Sequence, residues 1–424
     1  MAMRREQAED RRVVITGMGA LTPLGNSVQD FWRGCTAGRS GIDYLTLIPP
    51  EVYTSYPVHI AGEVRGFEPT DYMDRREARR MARFSQLAVA AARQAIEDAR
   101  LDLGREDSTR VGVLLGNGIG GFPTIEEGVR TILSKGGLRL DPLFLPKILP
   151  NMAAAQISLT FGLKGYNNTV ITACAASTQA LGDARDAIRL GRADVMLAGG
   201  TEAGICELGL CGFAVMRALS TRNDSPQKAS RPFDAHRDGL VAAEGSAVLV
   251  LESLEHAQAR AAPILAELAG YAACNDAHHL VAPCPDGEGA ARTMRWALED
   301  ASVQPQEVDY INAHGTSTPL NDVAETLAIK SVFGEHAYRL AISSTKSMIG
   351  HAMGASGAME SVACVMTLQT GIIHPTINHE YPDPECDLDY VPNVARQADV
   401  RTVLKNSFGF GGQNACLVFK RFEE

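Results

Sequence analysis

The chain has 424 residues, of which 45% are hydrophobic and 21% are charged, and its formal net charge at pH 7 is -10. This length allows about two or three average domains, or two large interlocked halves, and the composition is that of a globular protein with an ample core. The negative charge argues against general affinity for nucleic acid or for an anionic membrane surface.

Nine cysteines are scattered along the chain, and no two have C-x-x-C spacing. An odd number fits no complete disulfide framework, so reduced thiols are expected. Residues 1–10 contain acids and no apolar core, unlike a secretory signal, and no apolar run is long enough to span a bilayer. We therefore expect a soluble, cytoplasmic protein.

The first folding signal is in residues 12–25, where an apolar strand enters a glycine-rich loop. Gly17-Met-Gly19 begins like a dinucleotide-binding fingerprint, but Thr22 stands where the third glycine belongs. Pro23 also interrupts the first turn of the helix that would hold a pyrophosphate. The pattern favours a structural strand and loop over a nucleotide site.

A helix is predicted over residues 72–99, and its early part is rich in arginine. Residues 76, 79, 80 and 83 recur at helical spacing and would share one face. Such a face is either an ordinary solvated surface or a basic dock for an acidic partner, and both interpretations stay open here. Residues 111–122 follow as a strand that ends in a dense run of glycines.

The most distinctive stretch surrounds Cys174. A β-branched run over 169–172 predicts a buried strand, and small or apolar residues at every fourth position from Ala176 to Ile188 predict a helix that Gly191 ends. Cys174 would then lie at a helix N-terminus, where backbone N–H groups and the helix dipole favour the thiolate. The alternative is an inert cysteine of the core.

The remaining strands and helices alternate to the end of the chain. Strands are predicted at 193–202, 245–252, 263–271 and 308–315 and as a pair within 403–419, and helices at 254–262, 289–301, 322–333 and 356–370. This alternation indicates an α/β fold with buried, largely parallel sheets. Strand–glycine turns at 194–200 and 403–412 end comparable stretches, so we expect two pseudo-duplicated halves, 12–262 and 263–424.

The second half carries four further groups that could do chemistry. His314 ends an apolar strand, and Lys346 and His351 lie in a loop of small residues. Glu360 is the single charge in an apolar helix; it is either paired, with Lys346 or a histidine, or turned to solvent. Together with Cys174, these groups suit acyl transfer through a thioester.

Two other chemistries fit this set less well. A metal site is expected to have ligands at short, fixed spacings, whereas His314 and His351 are far apart and Cys174 is farther. A cysteine protease needs an Asn or Asp to orient one histidine and gives no reason for the second. We therefore expect no metal.

Four ordered motifs then carry a family resemblance. Thr172-Ala-Cys-Ala-Ala-Ser, Asn312-Ala-His-Gly-Thr-Ser-Thr, Lys346-Ser-Met-Ile-Gly-His and Asn406-Ser-Phe-Gly-Phe-Gly-Gly resemble the signatures of the β-ketoacyl-[acyl-carrier-protein] synthases. The resemblance runs from Arg12 to Phe419 and is closest to the type II elongating enzymes of fatty acid synthesis.

The resemblance implies the thiolase fold, in which two similar halves form a five-layer αβαβα sandwich. It implies decarboxylative Claisen condensation of a Cys174-bound acyl chain with malonyl-[acyl-carrier protein], giving 3-oxoacyl-[acyl-carrier protein]. The implied partners are the acyl carrier protein and a second subunit in a homodimer. No cofactor is implied beyond the phosphopantetheine arm that carries the substrates.

The resemblance also implies a role for each matching residue. Cys174 matches the nucleophile, and His314 and His351 match the pair that assists decarboxylation. Lys346 and Glu360 match residues that hold the histidines, Asp322 matches a carboxylate of the same network, and the N–H groups of Cys174 and Phe410 match the oxyanion hole. Thr316 and Thr318 match the threonines that bond the pantetheine arm, Phe408 and Phe410 match a gating loop, and Ile119 matches a residue at the acyl pocket. The residues that match the docking surface for the carrier protein are Arg76, Arg79 and Arg80.

Ser177 departs from the pattern, because fatty-acid enzymes more often have glycine there and polyketide ketosynthases often have serine. An alternative is therefore the ketosynthase of a dissociated polyketide pathway, paired with a chain-length partner as a heterodimer. A non-catalytic chain-length partner would lack Cys174. A degradative thiolase would need a second cysteine in a C-terminal Cys-x-Gly turn, where this chain has Phe408-Gly-Phe-Gly-Gly.

Overall fold

The computed structural model of the chain describes residues 11–423. The segment 1–10, interpreted above as unlike a secretory signal, lies outside the described residues. Strands and helices alternate as expected for an α/β protein. Within 11–423, no helix combines the length and apolarity needed to cross a membrane.

The strands form one ten-stranded sheet and two small pairs, β2–β3 and β11–β12. In chain order they are β1 Val13–Leu21, β2 Ile42–Tyr44, β3 Ile60–Gly62, β4 Val111–Gly116, β5 Asn167–Val170, β6 Val195–Glu202, β7 Gly245–Ser253, β8 Ala266–Asn275, β9 Tyr310–Asn312, β10 Ala341–Ser343, β11 Ile372–Ile373, β12 Arg396–Gln397, β13 Thr402–Gly409 and β14 Gln413–Lys420.

The α-helices vary in length from single turns to four turns. In chain order they are α1 Val28–Thr36, α2 Pro50–Tyr53, α3 Arg75–Ala78, α4 Arg83–Asp98, α5 Phe122–Lys135, α6 Phe144–Ile148, α7 Met152–Phe161, α8 Ala176–Arg189, α9 Glu207–Val215, α10 Leu254–Ala259, α11 Glu288–Asp300, α12 Pro319–Phe333, α13 Lys346–Ile349 and α14 Ser356–Thr370.

The large sheet consists of two five-stranded halves with the same strand order. The order is β5-β4-β6-β7-β1 in the first half and β10-β9-β13-β14-β8 in the second. In each half the two outer pairs are parallel and the two pairs that follow are antiparallel. The halves join where Val14 and Ile15 of β1 pair with Glu267 and Ala266 of β8. The pseudo-duplication predicted from the sequence is confirmed.

Helices form three layers around these strands. Helices α4 and α7 cover the outer face of the first half, α11 and α12 cover that of the second, and α8 and α14 pack between the halves. Both inner helices have mostly buried residues, and α14 is apolar nearly all round, as a helix enclosed on every side should be. Three of the hydrophobic cores correspond to the three helix layers. The architecture is the expected five-layer sandwich.

Three local predictions are wrong. The expected helix 72–99 is broken into α3 and α4, because buried Met81 and Ala82 turn the chain into the core between them. The sheet is mixed rather than largely parallel, since the last strand of each half runs antiparallel to both neighbours. The expected buried strand 169–172 is β5, an edge strand in which only Val170 is buried.

Candidate active site

Cys174 lies in the tight turn that joins β5 to α8. Residues 173–175 form one turn of 3-10 helix, and Ala173 has a φ of 48°. A positive φ is strained for a residue with a Cβ, so the surrounding packing has to hold this turn. The Cys174 residue is 6% exposed, and the backbone N–H groups of Cys174 itself and of Phe410 face its sulfur.

The thiol of Cys174 is not poised as a thiolate in this pocket. Burial raises its pKa to about 11, and the positive charge of Lys346 and the Phe410 N–H only partly oppose this effect. Burial thus outweighs the helix N-terminus in setting the pKa of this thiol. Nucleophilic attack by Cys174 consequently needs a nearby group that can accept the thiol proton.

Two histidines from the second half lie beside the thiol. His314 follows β9, His351 follows α13, and their rings meet edge to face with centroids 5.5 Å apart. Ligating atoms of Cys174, His314 and His351 all lie within 4.8 Å of one another. These three residues are far apart in sequence, which was the argument against a shared metal site, but the fold brings them together.

Both imidazoles are neutral near pH 7. Burial lowers the pKa of each ring well below its ordinary value, and the charges of Lys346 and Lys405 lower it further. The Nδ1 atom of His351 is 2.8 Å from the Ser356 hydroxyl, while its Nε2 is buried with no partner within the described residues. Lys346 Nζ lies 3.4 Å from His314 Nδ1 and donates to the His314 carbonyl at 2.7 Å.

Lys346 is held in turn by Glu360. Both side chains are buried and form an ion pair between Lys346 Nζ and Glu360 Oε1. Glu360 is thus paired rather than exposed, which decides between the two possibilities left open by the sequence. Lys346 begins the short helix α13 and Glu360 belongs to α14, so the ion pair also ties these two helices together.

A cavity of about 400 Å³ opens onto these groups. Its walls include Cys174, His314 and His351 together with Thr316, Thr318, Phe408 and Phe410. The wall is mostly apolar with a few converging polar groups, which is typical of a site for a flexible organic substrate.

Hydrogen bonds to buried groups fix the part of the cavity wall that contains Thr316. Thr316 and Thr318 share a hydrogen bond between their hydroxyls at 2.8 Å. Buried Asp322 accepts from the backbone N–H groups of Thr316 at 3.1 Å and Phe233 at 2.8 Å, and Arg237 lies 3.8 Å from its carboxylate. These contacts fix the backbone on which the two threonines stand.

Family profiles match most of the chain. Residues 10–257 match "Beta-ketoacyl synthase, N-terminal domain" and residues 265–380 match "Beta-ketoacyl synthase, C-terminal domain". The chain belongs to the β-ketoacyl synthase family.

Curated relatives of this β-ketoacyl synthase match it over nearly its full length. The 3-oxoacyl-[acyl-carrier-protein] synthase 2 of Synechocystis is 50% identical over 415 residues, covering 98% of this chain and 99% of the relative. The protein of the same name from Staphylococcus aureus is 49% identical over 416 residues, covering 98% and 100%.

Solved structures in the family share the fold. A β-ketoacyl synthase from Burkholderia phymatum is 39% identical with a TM-score of 0.90, covering 97% of this chain and 100% of that one. A type II polyketide ketosynthase in complex with its acyl carrier protein is 38% identical with a TM-score of 0.89, with the same coverage.

Three buried charged residues around the synthase site were missed by sequence reasoning. Lys405 contacts the second oxygen of Glu360 at 2.8 Å, and Glu325 accepts the backbone N–H groups of His314 and Gly315 at 2.8 Å each. Glu202 accepts N–H groups from the loop after β4. Burial raises the pKa of both carboxyls, Glu202 and Glu325, to about 7. Glu202 and Lys405 are isolated charges in stretches of small or apolar residues, the signal that singled out Glu360, whereas Glu325 follows Asp322 on the same helix.

Two sets of predicted residues lie away from the cavity. Ile119 packs against Gly204 and is not part of the cavity wall. Arg76, Arg79 and Arg80 are exposed and line a separate surface groove, whereas Arg83 turns inward and donates to Glu244 at 2.6 and 2.8 Å. The predicted single face of four arginines is therefore wrong, because the break between α3 and α4 removes Arg83 from it.

Proposed function

We propose that this β-ketoacyl synthase joins an acyl chain to malonyl-[acyl-carrier protein], releasing carbon dioxide and giving 3-oxoacyl-[acyl-carrier protein]. The observation that carries the proposal is the meeting of the Cys174 thiol with His314 and His351 at one cavity. A thiol beside two neutral imidazoles can take an acyl group and then activate a second thioester, which is the pair of steps that condensation requires.

In the first step the acyl group moves from the carrier's pantetheine sulfur to Cys174. His351 Nε2, buried and without a partner, accepts the thiol proton as the sulfur attacks the carbonyl. The oxygen of the tetrahedral intermediate receives hydrogen bonds from the N–H groups of Cys174 and Phe410. The C–S bond to pantetheine then breaks, and the departing thiolate takes the proton back from His351.

In the second step the malonyl thioester loses carbon dioxide, and the electron pair of the broken C–C bond forms an enolate. Lys346 faces His314 at Nδ1, which leaves the His314 proton on Nε2, and that N–H stabilises the enolate oxygen. His351 adds a second donor in its other tautomer, in which Nδ1 accepts from the Ser356 hydroxyl and Nε2 carries the proton. The enolate carbon attacks the acyl carbonyl on Cys174. Collapse of that intermediate releases the 3-oxoacyl product and the cysteine thiolate, which takes up one proton from water.

Other residues position the substrates in this proposal. Lys346 and Glu360 hold the histidines, Asp322 braces the wall that carries Thr316 and Thr318, and these threonines bond the pantetheine arm. Phe408 and Phe410 gate the cavity, and Phe408 stands edge to face with His314 at 5.7 Å. Ile119, which lies outside the cavity wall, limits the length of the acyl chain.

The carrier protein docks on the groove of Arg76, Arg79 and Arg80. Within residues 11–423 these exposed side chains form no ion pair, so they are available to acidic groups of a partner. A related ketosynthase forms a complex with its own acyl carrier protein.

We further propose a cytoplasmic homodimer that needs no cofactor or metal beyond the carrier's arm, with halves 12–262 and 263–424. The alternative is a polyketide ketosynthase paired with a chain-length partner, which is favoured by Ser177 and by the 38% identity to the ishigamide ketosynthase/chain length factor. The fatty-acid assignment is stronger, since the relatives named 3-oxoacyl-[acyl-carrier-protein] synthase 2 reach 49–50% identity.

Intact-mass measurement of the full chain with a panel of acyl carriers tests the proposal. We expect one acyl adduct per chain in the wild type and in Cys35→Ala, a matched control at another buried thiol, and none in Cys174→Ala. Addition of malonyl carrier should discharge the adduct as 3-oxoacyl carrier. Acylation of Cys174→Ala, or an adduct that malonyl carrier never discharges, would refute it.

A further inference from the structure

Lys405 is a second buried lysine behind the active site, and the chemistry proposed above does not use it. It lies on β13, three residues before Phe408, and its side chain is fully buried. Its Nζ is 2.8 Å from Glu360 Oε2, while Lys346 pairs with Oε1 of the same carboxylate. One carboxylate is therefore shared between two amines.

The Lys405 amine also joins elements from both halves of the fold. It donates to Thr178 Oγ1 at 3.0 Å, to the Asn406 carbonyl at 2.9 Å and to the Ser407 hydroxyl. Thr178 stands in the first turn of α8, four residues after Cys174, and Glu360 stands on α14. A single side chain thus ties the nucleophile helix and the Glu360 helix to the strand that leads into Phe408.

Burial lowers the pKa of Lys405, and the charge of Glu360 opposes this effect. With both lysines protonated, two positive charges and one carboxylate leave an excess of positive charge behind the histidines. Lys405 is among the charges that lower the pKa of both His314 and His351. The other groups facing Lys405 and Glu360 are the Cys364 and Cys416 thiols and the neutral ring of His374, whereas Glu325 is reached through Asn406. A positive charge in a weakly polarisable interior opposes protonation of an imidazole and favours an enolate nearby.

We infer that Lys405 is a positioning residue of the condensing site: it fixes the carboxylate that holds Lys346 and supplies a second buried positive charge behind His314 and His351. The inference rests on the proposed function and adds a residue to it. Lys405 touches neither the thiol nor the cavity, so it acts through Glu360, Lys346 and the electrostatic field.

This role has a signature that a purely structural role lacks. Removing one partner of an isolated buried ion pair is strongly destabilising, because the other charge is left without compensation. Lys405→Met instead leaves Glu360 paired one-to-one with Lys346 and removes an excess buried charge. Stability should be retained or increased while catalysis falls, the trade-off expected where a site keeps an unfavourable charge for its function.

The test measures carbon dioxide release from malonyl-[acyl-carrier protein] against pH, with the melting temperature of each full-length variant. In Lys405→Met we expect kcat to fall roughly tenfold and the acid limb of the profile to move up by about one pH unit, because the imidazoles protonate more easily. Thr178→Val is the matched control: it removes a hydrogen-bond partner of Lys405 and no charge, and it should keep the wild-type limb.

A double variant separates charge from packing. Lys405→Met with Glu360→Gln restores the wild-type net charge of the cluster, so its acid limb should return toward that of the wild type. The inference would be overturned if the acid limb did not move in Lys405→Met, or if it moved equally in Thr178→Val. It would also be overturned if the melting temperature fell by more than about 5 °C in both Lys405→Met and Lys405→Gln. Failure of the wild type to release carbon dioxide would refute the proposed function instead, since the wild-type measurement does not depend on any change at Lys405.

Discussion

The Ser177 hydroxyl accepts a hydrogen bond from the backbone N–H of Ala358 at 2.9 Å. This contact joins the first turns of α8 and α14, the two helices between the halves of the sheet. Ser177 is fully buried and is not part of the cavity wall. The departure from the family pattern at this position therefore lies in a helix–helix contact and not against the acyl chain.

We expect Ser177→Ala to lower the free energy of unfolding by about 1–2 kcal/mol, because a buried N–H loses its acceptor. The distribution of product chain lengths should stay that of the wild type. Urea denaturation and mass analysis of the products measure the two effects. A changed product length with unchanged stability would make Ser177 a substrate determinant after all.

His314→Ala should separate the two chemical steps. Loss of its Nε2–H is expected to slow carbon dioxide release by roughly 10²–10⁴-fold, while acylation of Cys174 changes only a few-fold. Release of labelled carbon dioxide and intact-mass kinetics give the two rates. His336→Gln, at a histidine bonded to Val308 outside the site, is the control and should leave both rates unchanged. Equal losses in both steps would contradict the assignment.

Glu360→Gln should be much more destabilising than an ordinary surface change, because it leaves two buried lysines without a counter-ion. We expect a loss of about 3–5 kcal/mol in the free energy of unfolding, measured by urea denaturation. Glu299→Gln, at an exposed position of α11, should change it by less than about 0.5 kcal/mol. Similar small effects in both variants would show that the buried charges are not coupled through Glu360.

Charge reversal in the basic groove should weaken carrier docking without touching the chemistry. The triple change of Arg76, Arg79 and Arg80 to Glu is expected to raise KM for acyl carrier at least tenfold and to remove most of its salt dependence. Transfer from a small acyl-pantetheine thioester should be unaffected. Arg105→Glu, beyond the far end of α4, is the matched control. Equal KM values for the triple variant and the wild type would exclude this groove as the dock.

His256, which lies away from the active site, is expected to make a pH-dependent contribution to the free energy of unfolding. Its ring lies 2.6 Å from Glu252 and 3.0 Å from Glu106, and the hydrogen bond to Glu252 is the main cause that raises its pKa above 6.5. Its contribution is therefore complete below pH 6.5 and is lost as the pH rises through the raised pKa.

Urea denaturation of the wild type and His256→Gln near pH 6 and near pH 9 tests this sign. The difference between the two proteins in free energy of unfolding should be larger near pH 6. A difference that grows toward pH 9 would show that His256 is held neutral.

The sequence predicts the elements of this site better than their electrostatics. Strand–glycine–helix patterns locate Cys174 and place His314 just after β9, because apolar periodicity and glycine are local signals. The pKa of Cys174 cannot be predicted from the local sequence, because it depends on burial of the thiol. That burial comes from segments far along the chain, including Met353 and Phe408, that close over the turn. The partner of Lys405 is not predictable from local sequence either, since only the fold brings this lysine to Glu360.

The break between α3 and α4 has a different origin. Arginine spacing over 76–83 is compatible with one continuous helix, and nothing in the local sequence forbids it. Tertiary packing decides the outcome, because Met81 and Ala82 enter the core and Arg83 reaches buried Glu244. Helix propensity is a weak preference that such contacts readily override.

The seam between the two halves of the sheet has a consequence for inactivation. Strands β1 and β8 meet through only two residue pairs, so the inner helices provide most of the contact between the half that carries Cys174 and the half that carries the histidines. We expect a small loosening of α8 against α14 to separate nucleophile from base while both halves of the sheet stay intact. On heating, the enzyme should therefore lose activity at a temperature several degrees below the one at which circular dichroism detects unfolding.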